Sequence, residues 1–260
     1  MLKNLILLSG LIGSGIPGQA QEIFMGAWVR GPVETKKIAL VFTGDEFSDG
    51  GFPIVKALNK KNIKASFFFT GRFYANPDHS ILIKKLKQKN HYLGGHSDQH
   101  LLYCDWGNRD KLLITNSQFK NDLTKNYERM SNFKIQKKDA PYFLPPYEWY
   151  NDSISIWTSQ MGLQLINYTS GTLSHADYTT PDMKNYRSSD EILASIFKKE
   201  NERPNGLNGF ILLLHIGTDP RRKDKLYNHL SHLIETLSKK GYEWVKITQL
   251  FNPNTSSFSK

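Results

Sequence analysis

A single α/β domain built on a barrel of about seven parallel strands is the fold class this sequence predicts. Three observations lead there. Short apolar runs alternate with amphipathic helical stretches, some 220 residues carry all of those units, and the residues equipped for chemistry stand just after the apolar runs. Parallel neighbours need long crossovers, which the intervening helices supply.

The units follow in order along the chain. Ile38-Ala39-Leu40-Val41-Phe42 is a continuous apolar run ending at Thr43-Gly44, the pattern of a strand covered on both faces. A helix with Ile54, Val55 and Leu58 on one side comes next. Lys64 to Thr70 forms the second strand, stopped by Gly71, and Ile81, Leu82 and Leu86 mark another helix. His91-Tyr92-Leu93-Gly94 is a short strand, residues 110–131 are helical, and Tyr142-Phe143-Leu144 is extended before Pro145-Pro146. A helix near 150–160, strand 163–168, helix 188–200, strand 209–214, helix 223–239, strand 242–245 and a short terminal helix complete the series.

The chain of 260 residues has room for one full core, and its apolar content of 39% excludes disorder. Lys and Arg exceed Asp and Glu by 34 to 24, a net charge of +10 that favours anionic surroundings. The basic residues are scattered along helix faces (Lys84, Lys85, Lys87, Lys89), which reads as solvated surface, so no nucleic-acid partner is expected. The run Arg221-Arg222-Lys223-Asp224-Lys225 reads equally as a solvated helix start or as a contact for an anionic glycan.

Residues 1–20 have the three parts of a secretory signal: the cation Lys3, the apolar residues Leu5 to Leu8, and small residues up to Ala20. The apolar stretch is too short to span a bilayer, and no other segment is long enough. Export to the periplasm or the extracellular space is therefore expected, with residues 21–35 as a linker and 36–260 as the catalytic domain. Cys104 is the sole cysteine, which rules out a disulfide framework and reads as a small core residue.

In a parallel barrel the chemistry gathers at the carboxyl ends of the strands. Those positions hold Thr43-Gly44-Asp45-Glu46, His96-Ser97-Asp98-Gln99-His100, Pro145-Pro146-Tyr147-Glu148-Trp149, Ser170 to Tyr178, and His215-Ile216-Gly217-Thr218. Two imidazoles four residues apart plus one carboxylate make a catalytic zinc set. His96 and His100 could equally hydrogen-bond their own loop. His215 emerges from Ile211-Leu212-Leu213-Leu214, where a histidine can move a proton near neutral pH or simply cap the strand. His175 reads as a loop residue, with a place at the site as the alternative, and His79, His91, His229 and His232 as surface residues or helix neighbours.

The order of these motifs resembles the polysaccharide deacetylases of carbohydrate esterase family four, over roughly Lys36 to Phe251. Lys36 to Phe42 and Lys64 to Phe68 fit the places of the family's first two strands. The His-Ser/Thr-x-x-His motif is matched by His96, Ser97 and His100, Arg-Pro-Pro-Tyr by Leu144 to Tyr147, and Leu-Leu-His by Leu213, Leu214 and His215. The resemblance implies a deformed (β/α) barrel, an acetylated glycan as substrate, and a divalent metal, zinc with cobalt or nickel as alternatives. It implies that His96 and His100 ligate the metal and that the Tyr147 backbone N–H meets the oxyanion. It further implies that His215 protonates the leaving group, with Asp177 orienting it.

Two departures stand out. Without a gap, Thr43 and Gly44 occupy the places of the family's base and metal aspartates, and Leu144 that of the arginine supporting the base. A backbone adjustment at Gly44 would bring Asp45 to the metal, with Asp49 in reserve, and Glu46 is then the most available base. Metal-bound hydroxide without a protein base remains an alternative. Tyr103, Trp106, Trp149, Tyr150 and Tyr178 are candidates to stack on sugar rings, against a plain packing role. The leading expectation is a secreted, metal-dependent glycan deacetylase. A carbohydrate-binding protein without turnover is the rival, and an amidase acting on envelope peptide is a third reading.

Overall fold

The computed structural model describes residues 21–251; the expected signal segment lies outside them. Nine strands and eight α-helices are formed among the described residues. The strands are β1 (Glu22–Phe24), β2 (Ala27–Arg30), β3 (Lys37–Gly44), β4 (Ser66–Phe69), β5 (Tyr92–Gly95), β6 (Tyr142–Phe143), β7 (Gln164–Leu165), β8 (Phe210–His215) and β9 (Glu243–Val245). The helices are α1 (Gly51–Lys60), α2 (Gly71–Ala75), α3 (Ser80–Gln88), α4 (Asn116–Ser131), α5 (Asp152–Gln160), α6 (Ser189–Asn201), α7 (Leu230–Lys239) and α8 (Ile247–Phe251).

Seven strands pair in parallel in the order β7-β6-β5-β4-β3-β8, with β9 beside the start of β3. This is the deformed barrel the sequence predicts. Strand β3 is central because it is apolar on both faces: every residue from Ile38 to Gly44 is buried. Phe42 stacks on Phe67 at 5.0 Å between ring centroids, tying β3 to β4. Helix α1 covers the sheet with Ile54, Val55, Ala57 and Leu58, the face its periodicity predicts.

The segment expected as a linker is instead an antiparallel pair, β1 with β2. Strand β2 spans the gap between the two outer strands of the sheet. Trp28 bridges Ile166 just past β7, and the Gly31 N–H donates to Gly209 O at 2.7 Å just before β8. Thr169 Oγ1 adds a bond to Val29 O at 2.5 Å. A four-residue strand is too short to signal itself by alternation, and its partners lie far along the chain.

Other boundaries moved for local reasons. Helix α4 starts at Asn116 and not near 110, because Thr115 and Gln118 form a reciprocal capping box. The helix expected from 223 begins at Leu230, after a 3₁₀ turn over Leu226–His229. No described helix is long and apolar enough to cross a membrane. Cys104 is buried in the core, and burial pushes its thiol up to about 11.

His79 and His91, read as surface residues or helix neighbours, are both buried, His79 at the start of α3. The His79 ring packs on Phe73 at 4.0 Å, and His91 Nδ1 accepts from the Ala65 N–H at 3.1 Å. Accepting that bond requires a neutral ring, and burial holds His91 down at about 4. An unfolded histidine binds its proton near 6.5, so this contribution is fully present above that pH and is lost as the pH falls toward 4. The shift is worth about 3 kcal/mol. Urea titrations at pH 8 and pH 4.5 should show that loss, and His91→Asn should flatten the dependence.

Candidate active site

A cavity of about 910 Å³ opens at the carboxyl ends of the strands, lined by residues from all the sequence motifs. Three of the eight described non-glycine residues with positive φ line it, His100 (55°), Tyr147 (58°) and Glu148 (54°), and a fourth, Ser97 (73°), lies in the turn between His96 and His100. Strained backbone of this kind concentrates where side chains must be aimed.

The turn after β5 delivers His96 and His100, with ring centroids 5.1 Å apart. It is held from α4. Asp122 accepts from Ser97 Oγ at 2.6 Å and from the N–H groups of Asp98 and Gln99 at 2.9 and 3.0 Å. One helical turn on, Asn126 Oδ1 accepts from the His96 N–H at 3.0 Å, and Arg129 pairs with buried Asp98 at 2.5 Å. His96 Nδ1 donates to Leu144 O at 2.8 Å, which fixes the tautomer and leaves Nε2 free. Burial lowers both rings, His100 to about 4 despite nearby Asp45, so both are neutral at pH 7.

Asp45 does not join them. Strand β3 runs through Gly44 in regular register with Phe69, so the expected backbone adjustment is absent. A Cβ at Gly44 would lie 2.7 Å from Ile216 Cγ2, so close packing selects glycine here. Asp45 turns instead to Arg72 on α2, which engages both carboxylate oxygens, and it accepts from Thr70 Oγ1 at 2.8 Å. Asp49 is also committed elsewhere, to the Thr218 N–H at 2.8 Å, Tyr227 Oη at 2.9 Å and Lys225 at 2.9 Å. No described group of three His, Cys, Asp or Glu residues could hold a metal ion. The donor set is two imidazoles, and the three-ligand zinc site expected with Asp45 is not assembled.

This arrangement predicts weak zinc binding that Arg72 restrains. Arg72→Ala would free the Asp45 carboxylate and remove a positive charge beside it. Titration calorimetry should then show zinc affinity rising roughly tenfold, about 1.4 kcal/mol, with His96→Ala abolishing it.

On the other side of the cavity, β8 presents His215. Its Nδ1 donates to Asp177 Oδ1 at 2.6 Å, and its backbone N–H to Asp177 Oδ2 at 2.9 Å. The pair implied by the resemblance is therefore formed. Burial alone would lower the His215 ring, but the charge and hydrogen bond of Asp177, with Glu148 nearby, outweigh it and raise the pKa. Asp177 sits in the 3₁₀ turn Ser174–Tyr178, which is anchored from below by Arg222. That residue belongs to the run read as solvated or glycan-facing. It is instead fully buried, donating to Thr179 O at 2.7 Å and Arg187 O at 2.9 Å.

Tyr147 has an exposed side chain, and its N–H makes no hydrogen bond among the described residues, whereas the next two N–H groups turn back on Pro145 O and Pro146 O. Glu46 lies exposed at the cavity rim. Thr43 is buried with an unpartnered Oγ1 against the cavity, and Leu144 packs in the core.

The sugar-stacking candidates divide. Trp106 and Trp149 form a wall with Tyr147, their centroids 5.4 to 5.6 Å from one another's neighbour. Tyr178 stands exposed 5.2 Å from His215. Tyr103 and Tyr150 are fully buried, the latter donating to Phe24 O, so packing takes them. His175, weighed between the site and a plain loop position, lines the cavity, stacked on Tyr168 at 4.5 Å, with Nδ1 unpartnered. Glu148, inside a quoted motif but given no role, is half-buried there, and burial raises its carboxyl to about 7.

The sequence profile of the family described as polysaccharide deacetylase matches residues 30–166, just over half of the chain. The chain belongs to the polysaccharide deacetylase family. It is 25% identical over 229 residues to an uncharacterized 30.6 kDa protein of Geobacillus stearothermophilus, covering 86% of this chain and 74% of that one. It is 27% identical over 135 residues to the peptidoglycan-N-acetylmuramic acid deacetylase PdaA of Bacillus subtilis (strain 168), spanning 51% of this chain and 47% of PdaA. The solved PdaA structure superposes with a TM-score of 0.66 at 23% identity, covering 87% and 85% of the two chains. A mutant of BA3943 from Bacillus anthracis, a pseudoenzyme of carbohydrate esterase family four with restored activity, gives 0.67 at 18%, covering 88% and 72%. These likenesses at low identity show the shared fold. The family is one of carbohydrate deacetylases and is generally metal-dependent.

Proposed function

We propose that this protein is an exported hydrolase that removes acetyl groups from a polysaccharide or oligosaccharide. The observation that carries the reading is the His215–Asp177 pair facing His96 and His100 across one cavity at the carboxyl ends of the strands. Asp177 holds the His215 ring in one tautomer and favours its protonated form, so Nε2 can donate to the departing nitrogen or oxygen. The free Tyr147 N–H is suited to donate a hydrogen bond to the acetyl carbonyl oxygen as negative charge develops there when water adds to its carbon. Trp106, Trp149 and Tyr178 offer apolar faces to sugar rings near the reacting group. Zinc, or cobalt or nickel in its place, would have to rest on His96 and His100 while Asp45 is paired with Arg72.

Export follows from the charged, apolar and small-residue parts of segment 1–20, and the +10 charge suits an anionic envelope. The named activity of PdaA makes acetylated peptidoglycan the first glycan to try.

A second reading, a glycan-binding protein without turnover, is favoured by Thr43, Leu144 and the Arg72–Asp45 pair standing at catalytic places. Purified protein incubated with acetylated peptidoglycan, chitin and xylan oligosaccharides, with and without zinc or cobalt, separates the two by assay of free acetate. Release supports the hydrolase. Glycan binding with no acetate from any substrate supports the binding protein, and cleavage of envelope peptides would point to an amidase.

A further inference from the structure

We propose that Glu148 is the general base of this chain, taking the proton of the attacking water in the place of the aspartate that Thr43 replaces. The assignment rests on the deacetylase reading above and adds a residue to it.

Elimination among the cavity's carboxylates comes first. Asp45 is neutralised by Arg72 and Thr70, and Asp219 is bound by Arg221 and held down at about 2. Asp177 is spent on His215, and the exposed side chains of Glu22 and Glu46 stand out in solvent at the rim. Glu148 alone is drawn into the cavity wall with no cation paired to it, and its carboxylate makes no hydrogen bond among the described residues.

The backbone shows how it gets there. Tyr147 and Glu148 both adopt left-handed φ values, 58° and 54°, a conformation that glycine takes freely and glutamate does not. Asn167 Nδ2 clamps the strained residue by donating to Glu148 O at 2.9 Å. Strain kept at this position has a use if the carboxylate is needed where the turn aims it. The groups facing it are His215 from β8, Asp177 from the 3₁₀ turn, and Tyr168 after β7, with His175 stacked on Tyr168 and Arg109 over the Trp149 ring. Burial raises the Glu148 carboxyl most, Asp177 adds to that, and His215 opposes it. The outcome near 7 is the value at which a base is both available and strong at neutral pH.

The step balances. The water oxygen bonds the acetyl carbon, one water proton passes to a Glu148 carboxylate oxygen, and the carbonyl π pair moves onto oxygen beside the Tyr147 N–H. On collapse that pair re-forms the carbonyl, the bond from carbon to the sugar nitrogen or oxygen breaks with its electrons on the leaving atom, and His215 Nε2 protonates it. Acetic acid leaves. Solvent then takes the proton from Glu148 and returns one to His215.

The test measures acetate release against pH for the wild-type chain, Glu148→Gln and Glu148→Gly, with thermal melts of each. Wild type should lose kcat/KM as the pH drops through 7, because the base is protonated. Glu148→Gln should lower kcat by about 100-fold or more and lose that acid limb, with KM little changed. Glu148→Gly relaxes the strained φ, so it should melt no lower than wild type and still lose the same activity. A purely structural Glu148 predicts the reverse, since glycine would preserve the turn. Either variant retaining kcat within about threefold, acid limb included, overturns the assignment and leaves the deacetylase reading standing. A wild-type chain that releases no acetate overturns both.

Discussion

His215→Ala is expected to lower kcat for acetate release by about 100- to 10,000-fold while KM stays close to wild type. The ring is the only histidine at the cavity held by a carboxylate through both its Nδ1 and its own backbone N–H among the described residues. That clasp acts on the leaving group and not on glycan affinity, so the loss should fall on kcat. Asp177→Asn should reproduce most of the loss. The amide cannot accept from both the ring and the backbone with the same charge, and it removes the interaction that raises the His215 pKa. The sign follows: with a lower pKa the ring gives up its proton earlier, so the alkaline limb of any residual activity should move to lower pH. An unmoved limb would separate Asp177 from the proton-transfer step.

Arg222→Ala should be the most destabilising single change away from the hydrophobic core. The guanidinium is fully buried, bridges Thr179 O and Arg187 O, lies 3.8 Å from Asp224, and covers the Tyr186 ring at 5.3 Å. Truncation strands two carbonyls and an acid and opens a void, for a cost of about 3 kcal/mol or more. For a chain of this size that is a fall in Tm of roughly 6 to 12 °C by circular dichroism. Thr179 directly follows the turn carrying Asp177, so kcat should fall at temperatures where the variant is still folded. Arg222→Lys should rescue only in part, because one ammonium cannot reproduce the planar fork.

The parallel sheet was legible because burial on both faces writes itself as unbroken apolar runs, and Ile38 to Phe42 or Ile211 to Leu214 cannot be mistaken for exposed strands. The histidines at the strand ends were legible for the same reason, since each follows such a run. Direction was not legible. Asp45 stands one residue from the expected place, but whether it faces His100 or Arg72 depends on helix α2, which the sequence barely announces in five residues. Arg222 and its neighbours share one charge run, and nothing in it says which cation the fold swallows. Glu148 had a visible signal, an acid directly after Pro-Pro-Tyr, but its entry into the cavity depends on two successive left-handed residues that no local preference would select. The polar face of α4, with Asp122, Asn126 and Arg129 one turn apart, was readable as spacing and had no visible partner until the His96 turn was placed against it.

The seam closed by β2 also sets an order of events during synthesis. Arg30 bonds Asn208, 178 residues away, so β2 must wait for the residues that lead into β8 before the barrel can shut. Until then the rims of β7 and β8 stay unzipped. The last gap in the barrel therefore closes only once residue 209 has been made and Gly31 meets Gly209.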